Sequence, residues 1–425
     1  MRLATCKPLA AGLVALSALA VAACGGSGGG ARAASASTYP AVKVVDVYSS
    51  LPLRGPAAAE TIPLEKGIEL ALWQVGNRAG PFTVQYYSLD DSTGPDGWDP
   101  SQTAANARRA AADPNSVFYI GEFDDEASEV SMPILKAAGI PEVSPVNTYV
   151  GLTANPSGTK SPPADSGSQT GARTYLRIVP TDAVQAAADL LAMQDAGCTR
   201  AAVADDGEPY GTGLAQLVEA QRRNFAVEVT GVTALDPGAR TFRQSILAIK
   251  AGRPDCVMLA GVASPAAVRV TTGLHAALPG ARIFAPDAMC TSAWTNPLDG
   301  GVSRSIDPLI ECTQLTLRPS AYPGGKVFIA AYKARYGVSD PSPYAILGYE
   351  AMSLGLSTIA SLGANGDSKS AVLSALFSTT NRHSVLGTYG FNRDGDTTLR
   401  SFGLYRVGSN GNPTFVRAIT PPRGL

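Results

Sequence analysis

The residues best suited to chemistry in this sequence are carboxylates placed after runs of branched apolar residues. Asp90-Asp91, Glu122-Phe123-Asp124-Asp125-Glu126, Asp205-Asp206 and Asp287 all stand in such positions. A carboxylate pair can divide acid and base roles. Neighbours at a strand end face opposite ways, however, so such pairs more often cap loops. The partners an enzyme would need are missing. There are two histidines, His275 and His383, and His275 sits in an apolar helical run. The sequence has no GxSxG elbow, no Walker A loop and no HExxH. Gly211-Thr212-Gly213 opens a helix but lacks the third glycine of a dinucleotide fingerprint. The expectation is a protein that is not an enzyme and uses no cofactor or metal, with an amidase or hydrolase as the least supported alternative.

The first residues read as an address. Arg2 and Lys7 precede an apolar stretch at 9–23 that is too short to span a bilayer comfortably. It ends in Val21-Ala22-Ala23-Cys24, followed by a Gly/Ser tract. That arrangement resembles a lipobox, in which Cys24 is lipidated and begins the mature chain. The competing reading is an ordinary export signal with a chance cysteine. The lipobox predicts a signal peptide at 1–23, a flexible tether at 24–38 and anchoring to the outer face of the cytoplasmic membrane in the cell envelope. Export implies an oxidising compartment. Of six cysteines, Cys198, Cys256, Cys290 and Cys312 lie beyond this segment. They permit two disulfides or none, in three pairings, and no CxxC spacing supports zinc.

Composition narrows the class further. Charged residues are 16% and hydrophobic residues 45%, as in a globular chain. The formal net charge of -1 offers no electrostatic case for nucleic acid.

Hydrophobic periodicity supplies the elements that position these groups. The β-branched run at 42–50 reads as a strand, and 62–75 carries Leu64, Ile68, Leu72 and Val75 at helical spacing. Strands at 82–89, 116–121 and 141–146 alternate with helices at 101–112 and 126–138. The segment 151–173 is rich in Gly, Ser, Thr and Pro and reads as a long solvated insertion. Alternation restarts with strands at 175–179, 200–205, 226–235, 255–261, 282–285 and 310–317, and with helices between most of them. Helices follow at 325–336, 344–362 and 368–378. The tail reads as strands at 388–393 and 397–405 joined by a tight turn at Asp394-Gly395-Asp396. The fold class is α/β, with two doubly wound parallel-sheet lobes. Such lobes hold ligands beyond the carboxyl ends of their strands.

Ordered segments resemble a family. Lys66-Gly67-Ile68-Glu69-Leu70-Ala71, Leu89-Asp90-Asp91-Ser92 and Ala137-Ala138-Gly139-Ile140-Pro141 are similar to first-lobe segments of the type I periplasmic binding proteins. Tyr210-Gly211-Thr212-Gly213-Leu214, Ala331-Tyr332-Lys333-Ala334-Arg335-Tyr336-Gly337 and the 387–396 stretch are similar to later segments. The resemblance covers 41–418 and lies nearest the leucine/isoleucine/valine-binding proteins of ABC importers. It implies three hinge crossings, a first lobe of 39–174 and 318–400, and a second of 175–317 and 401–425. It also implies closure around one solute and docking on an ABC permease.

The resemblance carries site residues with it. Asp287 matches the ammonium-binding carboxylate, with a loop cap as its competing use. Tyr210 matches the cleft-facing tyrosine. Thr148, beside Asn147, falls where a carboxylate-binding threonine is found, though a turn threonine satisfying its own backbone fits as well. Asp125 stands where a carboxylate-binding serine is expected. That departure disfavours a simple aliphatic amino acid, since two carboxylates in a poorly solvated cleft repel. Asp124 or Asp125 capping a helix is the alternative. Ser128 and Phe123 remain candidate contacts. The implied strand order makes Cys198–Cys256 and Cys290–Cys312 plausible pairs, with free buried cysteines as the alternative. The expected partners are a small polar solute (an amino acid, amide or cationic solute), an ABC permease, and the membrane through lipid on Cys24. No nucleic acid partner is expected, and the protein should be a monomer. Presentation of closed lobes to a signalling receptor is the second reading.

Overall fold

Strand Lys43–Leu51 is the spine of the first lobe, because its valines favour extended backbone and both of its faces are covered. It pairs in parallel with Phe82–Asp90 on one side and Ser116–Ile120 on the other. Glu142–Ser144 and Tyr175–Arg177 extend that parallel sheet, and the short antiparallel strand Arg78–Ala79 lies at its opposite edge. The computed structural model describes residues 43–94, 97–154, 173–236 and 238–423. The signal segment, Cys24, the tether at 24–38 and residues 155–172 of the expected insertion lie outside the described residues.

The second sheet repeats the order. Glu228–Ala234, Arg200–Asp205, Cys256–Ala260, Arg282–Ala285 and Ile310–Gln314 run in parallel. Phe402–Val407 and Pro413–Ile419 add two antiparallel strands at the far edge. Successive residues point to opposite faces, so Ala201 and Val203 enter one core while Ala202 and Ala204 enter another. Helices cover both cores, which is why these strands are apolar throughout.

Three expectations need correction. Tyr175–Arg177 was expected to open the second lobe, but it pairs with Glu142–Ser144 as the last strand of the first sheet. The passage to the second lobe therefore falls at 178–181, before helix Asp182–Asp195. The insertion does not begin in solvent, because Leu152 is buried against Met132 and Tyr175. In the tail, Gly387–Tyr389 pairs backwards with Arg382–Ser384. Phe391 and Thr397 share only an isolated bridge. The 392–396 turn instead serves the lobe junction, where the Arg177 backbone N–H donates to the Gly395 carbonyl at 3.0 Å.

Helices Ala58–Gln74 and Pro343–Ser361 pack through glycine in the first lobe. A Cβ at Gly67 would sit 1.9 Å from the Ala345 carbonyl oxygen, and one at Gly348 would sit 2.0 Å from that of Leu64. Only a hydrogen fits at either place. This crossing holds the amino-terminal turns of both helices in one wall of the cleft.

The second lobe contains both disulfides, Cys198–Cys256 and Cys290–Cys312, with Cα separations of 5.9 and 5.6 Å. Asp255 lies beside the first, where it accepts hydrogen bonds from the backbone of Thr199 and Arg200. No helix among the described residues is long and apolar enough to cross a membrane.

Candidate ligand site between the lobes

Loops from both lobes meet around a cavity of about 350 Å³. Glu60, Pro343 and Tyr344 line it from the first lobe, and Thr291, Gln314 and Thr316 from the second. Glu60 stands in the first turn of its helix. Pro343 opens helix Pro343–Ser361, where a missing N–H costs nothing, behind the Ser342 cap. Phe123 lies against Tyr344 with ring centroids 5.9 Å apart, which brings the loop after strand Ser116–Ile120 to the same wall. A larger depression of about 530 Å³ is lined by Leu235, Phe242, Leu259 and Met289. It contains no first-lobe residue and so is not the interlobe site.

Asp287 follows the second-lobe strand Arg282–Ala285. Its Oδ1 accepts from the Tyr210 hydroxyl at 2.8 Å and from the Ala288 backbone N–H at 2.8 Å. The Tyr210 oxygen also lies 3.5 Å from Gln185 Oε1. Tyr210 comes from the start of helix Pro209–Gln221 and Gln185 from helix Asp182–Asp195. Three separate segments thus converge on one carboxylate, and a loop-capping bond coexists with the cleft-facing arrangement.

The first-lobe loop is held differently from the sequence expectation. Asp124 occupies the N-cap position of helix Asp125–Ala137, yet its side chain makes no cap hydrogen bond. Asp125 Oδ1 accepts from the Tyr149 backbone N–H at 3.2 Å. Neither carboxylate is used up as a helix cap. Ser128 and Asn147 are tied into the first lobe by hydrogen bonds of their own. They are 0% and 1% exposed and lie beneath the loop. Ser128 Oγ donates to Asn147 Oδ1 at 2.6 Å, and Asn147 Nδ2 donates to the Phe123 carbonyl at 2.9 Å. These bonds position Phe123. Thr148 is also buried, and its carbonyl accepts from the Asp182 backbone N–H at 2.9 Å.

The electrostatics are those of a crowded acid site. Burial pushes Asp125 up to about 7, while the Arg177 guanidinium pulls it back. Burial and then Asp287 raise Glu60 to about 7, and burial with Asp91 beside it raises Asp124 to about 7. Burial also raises Asp287, against the hydrogen bonds from Tyr210 and Gln185. Asp182 rises well above the usual carboxylate range through burial, then through the charges of Asp125 and Asp287.

Sequence reasoning missed Glu60, Asp182, Gln185, Arg177 and Tyr344. A first-turn glutamate looks locally satisfied by the helix dipole, so Glu60 gave no distinguishing signal. Pro343-Tyr344 did offer one, as an aromatic at a helix start beside a proline.

A cleft between two doubly wound lobes where polar side chains converge is the arrangement of a two-lobed ligand-binding fold. Residues 49–412 match the family described as Periplasmic binding protein, and the chain belongs to that family. A Leu/Ile/Val-binding protein homolog 1 of Brucella melitensis is 23% identical over 369 residues, covering 86% of this chain and 92% of the relative. A leucine binding protein of Thermotoga maritima has a similar structure, with TM-score 0.67, 22% identity and coverage of 89% of this chain and 99% of that one. A solute binding protein of R. palustris, solved in complex with benzoate, is similar with TM-score 0.64 and 16% identity, covering 89% and 97%. These relatives are solute-binding proteins, and family membership gives this chain a solute-binding role. Leucine and benzoate differ in charge and shape, so the fold alone does not select the solute.

Proposed function

We propose that this chain is the extracytoplasmic solute receptor of an ABC importer. It takes up a small polar solute between its lobes without altering it and presents the closed form to a permease. Cys24 carries the lipid that keeps it on the outer face of the cytoplasmic membrane, and it acts as a monomer. The observation that carries this reading is the Tyr210–Asp287 pair, 2.8 Å apart on the second lobe, with Asp287 close enough for its charge to act on Glu60 and Tyr344 of the first. A carboxylate oriented by a phenol is a ready receiver for a solute N–H. The R. palustris relative is described as the solute binding protein of an ABC transporter, which supports the transport role.

The test is a thermal-shift screen of the purified full-length protein against amino acids, amides and amines. Any bound solute is then recovered by mass spectrometry. A hundredfold excess over Kd stabilises the native state by about 2.7 kcal/mol, enough to move the melting curve. A solute that stabilises the protein and returns intact is the expected outcome. A solute returned chemically changed would remove the receptor reading.

A further inference from the structure

The depression of about 530 Å³ lies wholly in the second lobe and is separate from the interlobe cleft. Leu235, Phe242, Leu259, Val270 and Met289 form its apolar walls, all of them buried. That size, and apolar walls with a few charged groups at the rim, are those of a small-molecule pocket. It adjoins a groove of about 480 Å³ between helices Arg243–Ala251 and Pro265–Ala277, and Phe242 and Arg269 line both spaces. The Arg269 guanidinium carbon lies 5.8 Å from the centre of the Phe242 ring. Its charge therefore stands where the apolar cavity opens into the groove. Met289 follows Asp287 by two residues, and the Ala263 backbone N–H donates to the Ala288 carbonyl at 3.1 Å, so the cavity abuts the loop that carries Asp287.

The groove adds an independent observation, because its charge is one-sided. Arg240, Arg243 and Arg269 line it, and no carboxylate does. The three guanidiniums make no ion pair or hydrogen bond among the described residues. Arg243 is the first residue of its helix, and the first turn contains no acidic residue. A cation at that end meets the positive pole of the helix, which is unfavourable unless an anion is shared between them. Two carboxylates nearby are already engaged. Asp206 accepts from the backbone N–H groups of Glu208 and Val262 at 3.1 and 3.0 Å, and Asp236 accepts from that of Gly238 at 2.9 Å. Asp206 and Glu208 line the cavity but not the groove, so the arginine side is the one that receives negative charge. Unpaired guanidiniums gathered at a helix start beside an apolar cavity suit an anion that brings an apolar body with it.

We propose that the second lobe carries a separate site for a small amphipathic carboxylate, its apolar body in the cavity and its carboxylate against Arg269, with Arg240 and Arg243 adding positive charge from the groove. Isothermal titration of the full-length protein with octanoate, butanoate and octylamine tests it. Each buried methylene is worth about fourfold in affinity, so octanoate should bind at least tenfold more tightly than butanoate. Octylamine has the same chain and the opposite charge, and should bind at least tenfold more weakly than octanoate. Arg269→Ser should weaken octanoate at least tenfold with the melting temperature unchanged, because that side chain is exposed and unpaired. Ala266→Phe, which fills the cavity from helix Pro265–Ala277, is a second variant and should weaken octanoate likewise. Octylamine binding as tightly as octanoate would overturn the class of ligand. Octanoate binding that both variants leave intact would overturn the site, and so would failure of octanoate to bind the wild type. The screen for the cleft solute decides the receptor reading separately.

Discussion

Arg177 Nε donates to Asp396 Oδ1 at 2.9 Å, with the arginine side chain fully buried and the aspartate 17% exposed. Strand Tyr175–Arg177 leads directly into the first passage between the lobes, and Asp396 precedes the return to the second sheet at Phe402–Val407. One guanidinium therefore ties a strand to a turn at the lobe junction. Gly395 permits it: its φ is +91°, and a Cβ there would lie 2.2 Å from the Tyr175 carbonyl oxygen.

Replacing Arg177 by Met should cost about 3–5 kcal/mol, because Asp396 would remain as an uncompensated charge and several acceptors would lose their donor. Urea denaturation measures this. Lysine should not rescue the loss, since its compact ammonium cannot replace a fork that reaches four residues. A loss under about 1 kcal/mol would show that the pair is not a junction clamp.

Tyr210 and Asp287 should separate in their effects on solute binding. Tyr210→Phe removes one donor to the carboxylate and should weaken binding roughly tenfold, or about 1.4 kcal/mol. Asp287→Asn removes the receiving charge and should weaken binding on the order of a hundredfold. Titration calorimetry with the solute found by screening checks both. Equal affinity for wild type and Asp287→Asn would take Asp287 out of the site.

The crowded carboxylates set a pH dependence with a definite sign. Glu60, Asp124 and Asp125 hold their protons in the folded state up to about 7. In the unfolded chain they release them near pH 4. Between those limits the native state binds more protons, so stability falls as pH rises. Asp91, Glu126 and Asp287 push the same way, and Arg177 opposes them at Asp125. The urea midpoint without solute should therefore decline from pH 5 to pH 8. A midpoint that climbs through that interval would contradict this account.

The two disulfides should differ in worth through the loops they close. Cys198–Cys256 spans 58 residues and Cys290–Cys312 spans 22. Loop entropy assigns them about 4 and about 3 kcal/mol. The Cys198→Ala/Cys256→Ala variant should thus lose more stability than Cys290→Ala/Cys312→Ala. The second variant frees the chain three residues from Asp287 and should lose more solute affinity. Calorimetric melting and titration of both variants read out the contrast.

The strands and their order were legible because valine-rich runs in a two-sided parallel sheet carry their burial in local composition, as at Lys43–Leu51. Tyr210 and Asp287 were singled out through the residues around them, and the structure brings them into contact. The bonds that Ser128 and Asn147 make were not legible, because a hydroxyl or amide looks the same in sequence whatever it bonds. Glu60 and Arg177 depend on partners 227 and 219 positions away, and no local pattern encodes such meetings. The tail hairpin failed for a related reason: the turn at 392–396 is claimed by Arg177, so the strands beside it pair elsewhere.

The glycine crossing of Ala58–Gln74 and Pro343–Ser361 makes one jaw of this molecule rigid by construction. Main chain rests there directly on main chain, with no side chain to change rotamer and no group to titrate. The backbone that carries Glu60 and Tyr344 consequently keeps its place while the Glu60 carboxyl itself titrates. New solute preferences must then evolve at the rim or on the opposing jaw, because enlarging either glycine would pry the seat itself apart.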